Sequence, residues 1–453
     1  MRRTDTGGPR SDLRLAWLLT RGSDRREWWR VGLTVAGAAQ ATGFALTAVA
    51  VAALEGQYSV GFGGGLLNQP EERAGVVVAL VMLLIPVLGF LGQCSRVGAV
   101  HRDRRLAGLR LAGAAPGQVR RIAALEAGLA CLAGSVAATL TSVVVLLGVW
   151  QRPPVTVWAG FAVAATAVPA LGALVSASAL RRVIASPLGR VRRVRTTPRP
   201  GRVFLVAVPA LALLLLAAVA SAESEPLGPA QMPSAVFFAV LLTGVGAIWL
   251  SGASARLTGA FLASRTDRPA VLIAAERLRD DPWAAARTHA AVLLVTIVGT
   301  AFMGVRQVLL AVLDHRQHLA AHRAFYTTGL DLTAAAIAVA LFIALSALAV
   351  GTAESLAARR RGLAAQTATG VPQAVLGRAL LLETALPLAS AMLAAGIGGM
   401  VVGTGYAGLA GGGSPPWAAL LVPAGVYGAC LLAAATSLPL LRRSVRPAEL
   451  RYA

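Results

Sequence analysis

Three of the chain's five histidines, His315, His318 and His322, stand close together directly behind Asp314. On a helix the i, i+3, i+7 spacing places them on one face, and imidazoles so grouped can bind zinc or copper. No thiolate supports them, and a solvated, mildly basic helix face produces the same pattern. The remaining candidates are two lone acids, Glu126 and Glu383, each near the end of an apolar run. An acid inside a membrane span is by default a functional group, a proton or substrate contact. At interfacial depth the simpler reading is structural, with each acid paired to an arginine such as Arg121 or Arg378, about one and a half turns away. The glycine runs "GFGGG" (61–65) and "AGGGS" (410–414) resemble phosphate loops only superficially and read as flexible turns. No GxSxG, no HExxH and no carboxylate pair at catalytic spacing occurs. The expectation is a chain that is not an enzyme, with no catalytic residue, no metal site and no cofactor of its own.

The elements that carry these groups follow from composition. Hydrophobic residues make up 56% of the chain and charged residues 14%, with a mean hydropathy of +0.68. A soluble chain carries about a quarter charged residues. Ten apolar runs approach the length of a membrane span. They are Val31–Leu54, Val76–Gln93, Ile122–Trp150, Val155–Leu180, Val203–Ser221, Ala235–Leu257, Ala290–Leu310, Asp331–Gly351, Leu376–Val402 and Trp417–Leu440. The first follows a polar, Arg-rich segment and is too long for a signal-peptide core, so no cleavable signal is expected. Cys94, Cys131 and Cys430 lie in or beside these runs without paired spacing and read as small hydrophobes.

All 42 basic residues are arginine. With the N-terminus inside, only Arg73, Arg152, Arg306, Arg316 and Arg323 face outward, so the excess of positive charge puts both termini in the cytoplasm. The net charge of +22 is spread over every inner loop, which favours contact with anionic lipid over nucleic acid. A phosphate-binding P-loop requires a lysine, so a nucleotide that powers this chain must be bound by another polypeptide.

The chain repeats itself. "RLAGLRLAGAAPGQVRRIAALEAG" (105–128) recurs as "RRRGLAAQTATGVPQAVLGRALLLETALP" (359–387) at an offset of 257 positions. In that register Arg102 meets Arg359, Leu106 meets Leu363, Gly113 meets Gly370, Arg121 meets Arg378 and Glu126 meets Glu383, while Pro116 and Pro372 differ by one place. Each copy reads as a short basic helix on the inner surface, a corner at Gly and Pro, and the start of a span. The segment 274–295 echoes 13–37, both reading as an amphipathic surface helix that turns into a span, with Trp28, Trp29 and Trp283 at headgroup level. The expected architecture is an all-α polytopic membrane protein of about ten spans. It comprises a cytoplasmic amphipathic segment (1–30), a first four-span repeat (31–182), an Arg-rich linker with a two-span connector (183–273), a second four-span repeat with an amphipathic leading helix (274–442) and a cytoplasmic tail (443–453).

The pattern R-x-L-A…G-A-x-P-x-Q-V-R-R…E after a span resembles the signature of FtsX/MacB-type ABC transporter permeases. The ten-span, two-repeat form is similar to the bacitracin-resistance type permeases, without the large extracytoplasmic domain, because Glu55–Gly75 and Leu310–Leu330 are too short to bury a core. The resemblance implies a partner ABC ATPase in two copies, which binds the ATP and magnesium, and coupling helices at Arg102–Ala112 and Arg359–Thr369. The coupling residues it implies are Arg102, Arg104, Arg105, Leu106, Arg110, Gly113 and Pro116 in the first repeat. In the second they are Arg359, Arg360, Arg361, Leu363, Gly370 and Pro372. The function implied is the permease subunit of an exporter in the cytoplasmic membrane that moves or extracts an amphipathic or lipophilic antibiotic, peptide or lipid. The alternative is a regulatory membrane protein that passes the ATPase state to a membrane partner without transport.

Overall fold

The computed structural model describes residues 25–56, 67–68, 70–94, 108–109, 111–150, 152–179, 232–315, 323–409 and 416–444. About 91% is helical, with no strand among the described residues. In lipid the backbone must satisfy its own hydrogen bonds, and a helix does this within one segment. Seven of the helices are long and apolar enough to cross a membrane, so the chain is an all-α, multi-pass membrane protein. The fifth expected span, Val203–Ser221, lies outside the described residues.

Two compact units divide the chain, Met1–Val194 and Arg195–Ala453. The first contains α1 (Arg25–Ala52), α2 (Pro70–Cys94), α3 (Pro116–Val149) and α4 (Val155–Ala179). Here α1 is central and packs on the other three, while α3 also packs on α4. Close approach is made possible by small residues. Gly134 of α3 lies against the α1 backbone at Val35 and Ala39, where a Cβ has no room. Next to it, Ser135 donates a hydrogen bond to the carbonyl of Ala165 in α4 at 2.8 Å. Leu46, Leu146, Val157, Phe161 and Ala164 close the core between α1, α3 and α4.

The second unit contains α5 (Met232–Arg265), α6 (Pro269–Asp280), α7 (Pro282–His315), α8 (Arg323–Ala358), α9 (Arg360–Ala368), α10 (Gln373–Leu409), a 3₁₀ turn (Trp417–Leu420), α11 (Leu421–Ala435) and α12 (Leu438–Ser444). The packing order of the first unit recurs, with α7 packing on α8, α10 and α11, and α10 packing on α11. Gly304 of α7 and Gly403 of α10 meet backbone to backbone, and Gly399 lies against Ile297 and Thr300. Helix α5, which carries the sixth expected run, packs on α6, α7 and α10, so the described part of the connector belongs to the second unit. Ser390 of α10 donates to Ser254 of α5 at 2.7 Å. Cys94 and Cys131 in the first unit and Cys430 in the second are free and buried.

Candidate functional site

Helix α9 is the short helix expected at Arg359–Thr369, with Arg359 as its N-cap and Thr369 as its C-cap. Its amphipathic pattern buries Leu363 and Ala364 and leaves Gly362, Ala365 and Ala368 exposed. Leu363 packs with Leu356, Leu376, Leu380 and Leu441, which seats the helix on the ends of α8, α10 and α12. Gly370 ends it with φ +94, a left-handed conformation that only glycine adopts without strain. Gly370 donates its backbone N–H to Thr367 at 3.0 Å and Val371 donates to Gln366 at 3.1 Å, the double closure of a Schellman cap, while Thr369 still donates to Ala365. Pro372 follows, exposed, and α10 starts at Gln373.

The same corner is built in the first unit, residue for residue. Gly113 has φ +96, Ala112 donates to Gly108 at 2.9 Å, and Ala114 donates to Leu109 at 3.0 Å. Each of these positions is 257 before its counterpart, and so is the start of the following helix, Pro116 against Gln373. Pro116 stands in the first turn of α3, where a missing N–H costs nothing. Leu109 and Ala114 pack on Val119 and Ala123. Of the expected coupling residues, Arg102, Arg104, Arg105, Leu106 and Arg110 lie outside the described residues, and Arg360 and Arg361 lie in α9.

Glu383 is the centre of a polar cluster in the second unit. Arg359 donates to its Oε1 at 2.6 Å, and Arg277, from α6, approaches its Oε2 at 3.4 Å. Arg277 also approaches Gln366 of α9 at 3.4 Å. The expected partner Arg378 is exposed and is not the cation that Glu383 meets, because five residues along a helix turn a side chain well away from its neighbour. Burial pushes the Arg277 guanidinium below its ordinary range, against the opposing pull of Glu383. In the first unit Glu126 is 3% exposed, deeper than Glu383, whose side chain is 18% exposed.

Beside this cluster lies a cleft of about 70 Å³, lined by Arg277, Asp281, Thr288, His289, Ser355, Arg359, Glu383 and Thr384 among others. His289 is 2% exposed, and its Nδ1 has no hydrogen-bond partner. Neither Arg277 nor His289 stood out in the sequence. The available signal was their position in the amphipathic leading segment 274–295.

Of the three grouped histidines, His315 ends α7, while His318 and His322 lie outside the described residues. Asp314 is instead engaged by Arg323, and Arg306 pairs with Asp331 at 3.5 Å. Among the described residues no group of three His, Cys, Asp or Glu side chains comes together to hold a metal. Comparison with models of known protein families and with curated proteins gives no match.

Proposed function

We propose that this chain is the permease subunit of an ABC exporter. A separate ATPase, present in two copies, binds ATP and magnesium and presses on the two Gly-capped corners. The cargo is amphipathic or lipophilic, an antibiotic, a peptide or a lipid, and the setting is the cytoplasmic membrane with both termini inside. The observation that carries this reading is the pair of glycine corners with matching backbone hydrogen bonds, Ala112 to Gly108 and Ala114 to Leu109 against Thr369 to Ala365 and Val371 to Gln366, at a constant offset. In each corner a turn or short helix is closed at a glycine and joined directly to a long apolar helix. Such a joint converts a push on the surface into movement of a span.

A force on α9 reaches α10 through Arg359 and Glu383, and reaches α6 through Gln366 and Arg277. Side chains that link rigid elements in this way can carry coupling between them. The test is co-purification with the ATPase encoded beside this chain, then ATP turnover in lipid vesicles. The expected outcome is a stable complex whose turnover rises with particular lipophilic compounds, and loss of the complex when residues 359–369 are replaced by a Gly/Ser linker. A stable complex indifferent to every compound would replace transport with regulation. Absence of any complex would overturn the proposal.

A further inference from the structure

The cleft in the second unit has a lining that the first repeat does not reproduce. At the 257-residue offset, Arg359, Asp281 and Glu383 fall on Arg102, Asp24 and Glu126, so these charged groups are common to both copies. His289 falls on Gly32, Thr288 on Val31, Ser355 on Gly98, Thr384 on Ala127 and Arg277 on Thr20. In that register the second repeat carries an imidazole and three hydroxyls where the first carries Gly32, Val31, Gly98 and Ala127. A mechanical joint needs only the shared groups. Extra hydrogen-bonding groups converging on a cleft are the mark of a ligand.

His289 is buried, lines the cleft, and has an Nδ1 with no partner. Arg277 spends its reach on two contacts of 3.4 Å, at the long end of hydrogen bonding, from a group with five donors. The cleft lies where Thr288–Ala311 begins and Arg323–Ala357 ends, against α10 two to three turns inside Gln373–Gly405. Two spans have an end there, which by length and composition puts the cleft near the level of lipid headgroups. An arginine between spans near that level can meet an acidic headgroup, and a guanidinium fits phosphate oxygens in pairs. A cationic ligand would instead face both Arg277 and Arg359.

We propose that this cleft binds a phosphate-type oxyanion, the headgroup phosphate of a membrane phospholipid, through Arg277 and His289. The charged groups that line the cleft with the imidazole are Arg277 and Asp281 at the end of α6, Arg359 beyond α8, and Glu383 on α10. They balance one another. An entering phosphodiester adds one negative charge, which the Arg277 guanidinium meets, while the His289 imidazole offers its unpartnered Nδ1 for a hydrogen bond. The site requires a membrane setting but no ATPase, and it stands or falls separately from the exporter reading.

The test is calorimetric titration of the full chain, delipidated in detergent, with dihexanoyl-phosphatidylglycerol, inorganic phosphate and phosphate-free dihexanoylglycerol. Saturable binding of one phosphatidylglycerol per chain is expected, at least tenfold weaker in Arg277→Gln, largely retained in Arg277→Lys and unchanged in Arg378→Gln. His289→Leu, which removes the hydrogen-bonding nitrogen and keeps the bulk, should weaken binding several-fold. Retention in the lysine variant separates lost binding from lost folding. Saturable binding of inorganic phosphate that acyl chains do not improve would keep the oxyanion and overturn its lipid source. Equal binding of dihexanoylglycerol, or unchanged affinity in both Arg277→Gln and His289→Leu, would overturn the site.

Discussion

Glu383 accepts from two arginines that come from different elements, and its geometry sets how much it can stabilise. Exposed ion pairs contribute about 0–1 kcal/mol, whereas breaking a fully buried pair costs about 3–5 kcal/mol. The three side chains here are 17–38% exposed, between those limits. Replacing Glu383 by Gln leaves two guanidiniums facing each other across a neutral amide. We expect a loss of about 1–2 kcal/mol by thermal unfolding in detergent, with faster amide exchange confined to α9. Arg378→Gln, on an exposed side chain of the same helix, should do neither. An unchanged exchange rate in α9 would show that the cluster does not hold that helix. The acid itself was legible in the sequence because a carboxylate beside an apolar run is conspicuous. Its partners were not, since Arg277 is 106 positions away and Arg359 is 24 away. Local helical spacing points to Arg378 and says nothing of a helix folded back from elsewhere.

At the scale of elements, small residues decide which helices touch. Between spans there is little hydrophobic driving force, and association depends on close packing of backbones. Gly304 and Gly403 provide such a contact between α7 and α10, whereas Gly405, two residues on, faces open space. Gly403→Leu should therefore separate the two helices and lower the unfolding temperature by several degrees, while Gly405→Leu should leave it nearly unchanged. Equal effects of both would mean that the crossing is not a determinant of the fold. The helices themselves were readable from apolar length, and the boundaries of α9 were readable from its basic start and its Gly/Pro end. The crossings were not, because the chain contains 48 glycines and a glycine that faces another helix looks the same in sequence as one that faces lipid. The role of α5 was hidden for a related reason, since length identifies a span without saying which neighbours it packs against.

For the whole molecule, the distribution of arginine is the strongest physical statement about orientation. Of the four assigned to the outer side that are described, Arg152 is exposed and the other three are kept occupied. Arg73, 3% exposed, donates to the backbone carbonyls of Leu54, Gly56 and Asn68, while Arg306 and Arg323 each pair with an aspartate. A cation held by carbonyls or by an acid is a poor signal for retention on the inner side, which is consistent with an outer position for these three. Orientation can be read chemically because the native cysteines, Cys94, Cys131 and Cys430, are all buried. In a chain with these three replaced by Ala, a single cysteine at the exposed Glu55 should react with a membrane-impermeant maleimide on intact cells. One at the exposed Thr369, the C-cap of α9, should react only after the membrane is opened. The reverse pattern would put α9 outside, beyond the reach of any cytoplasmic ATPase, and the exporter reading would fail. Labelling of both positions on intact cells would refute the expected ten-span order, in which Glu55 would follow one span and Thr369 eight.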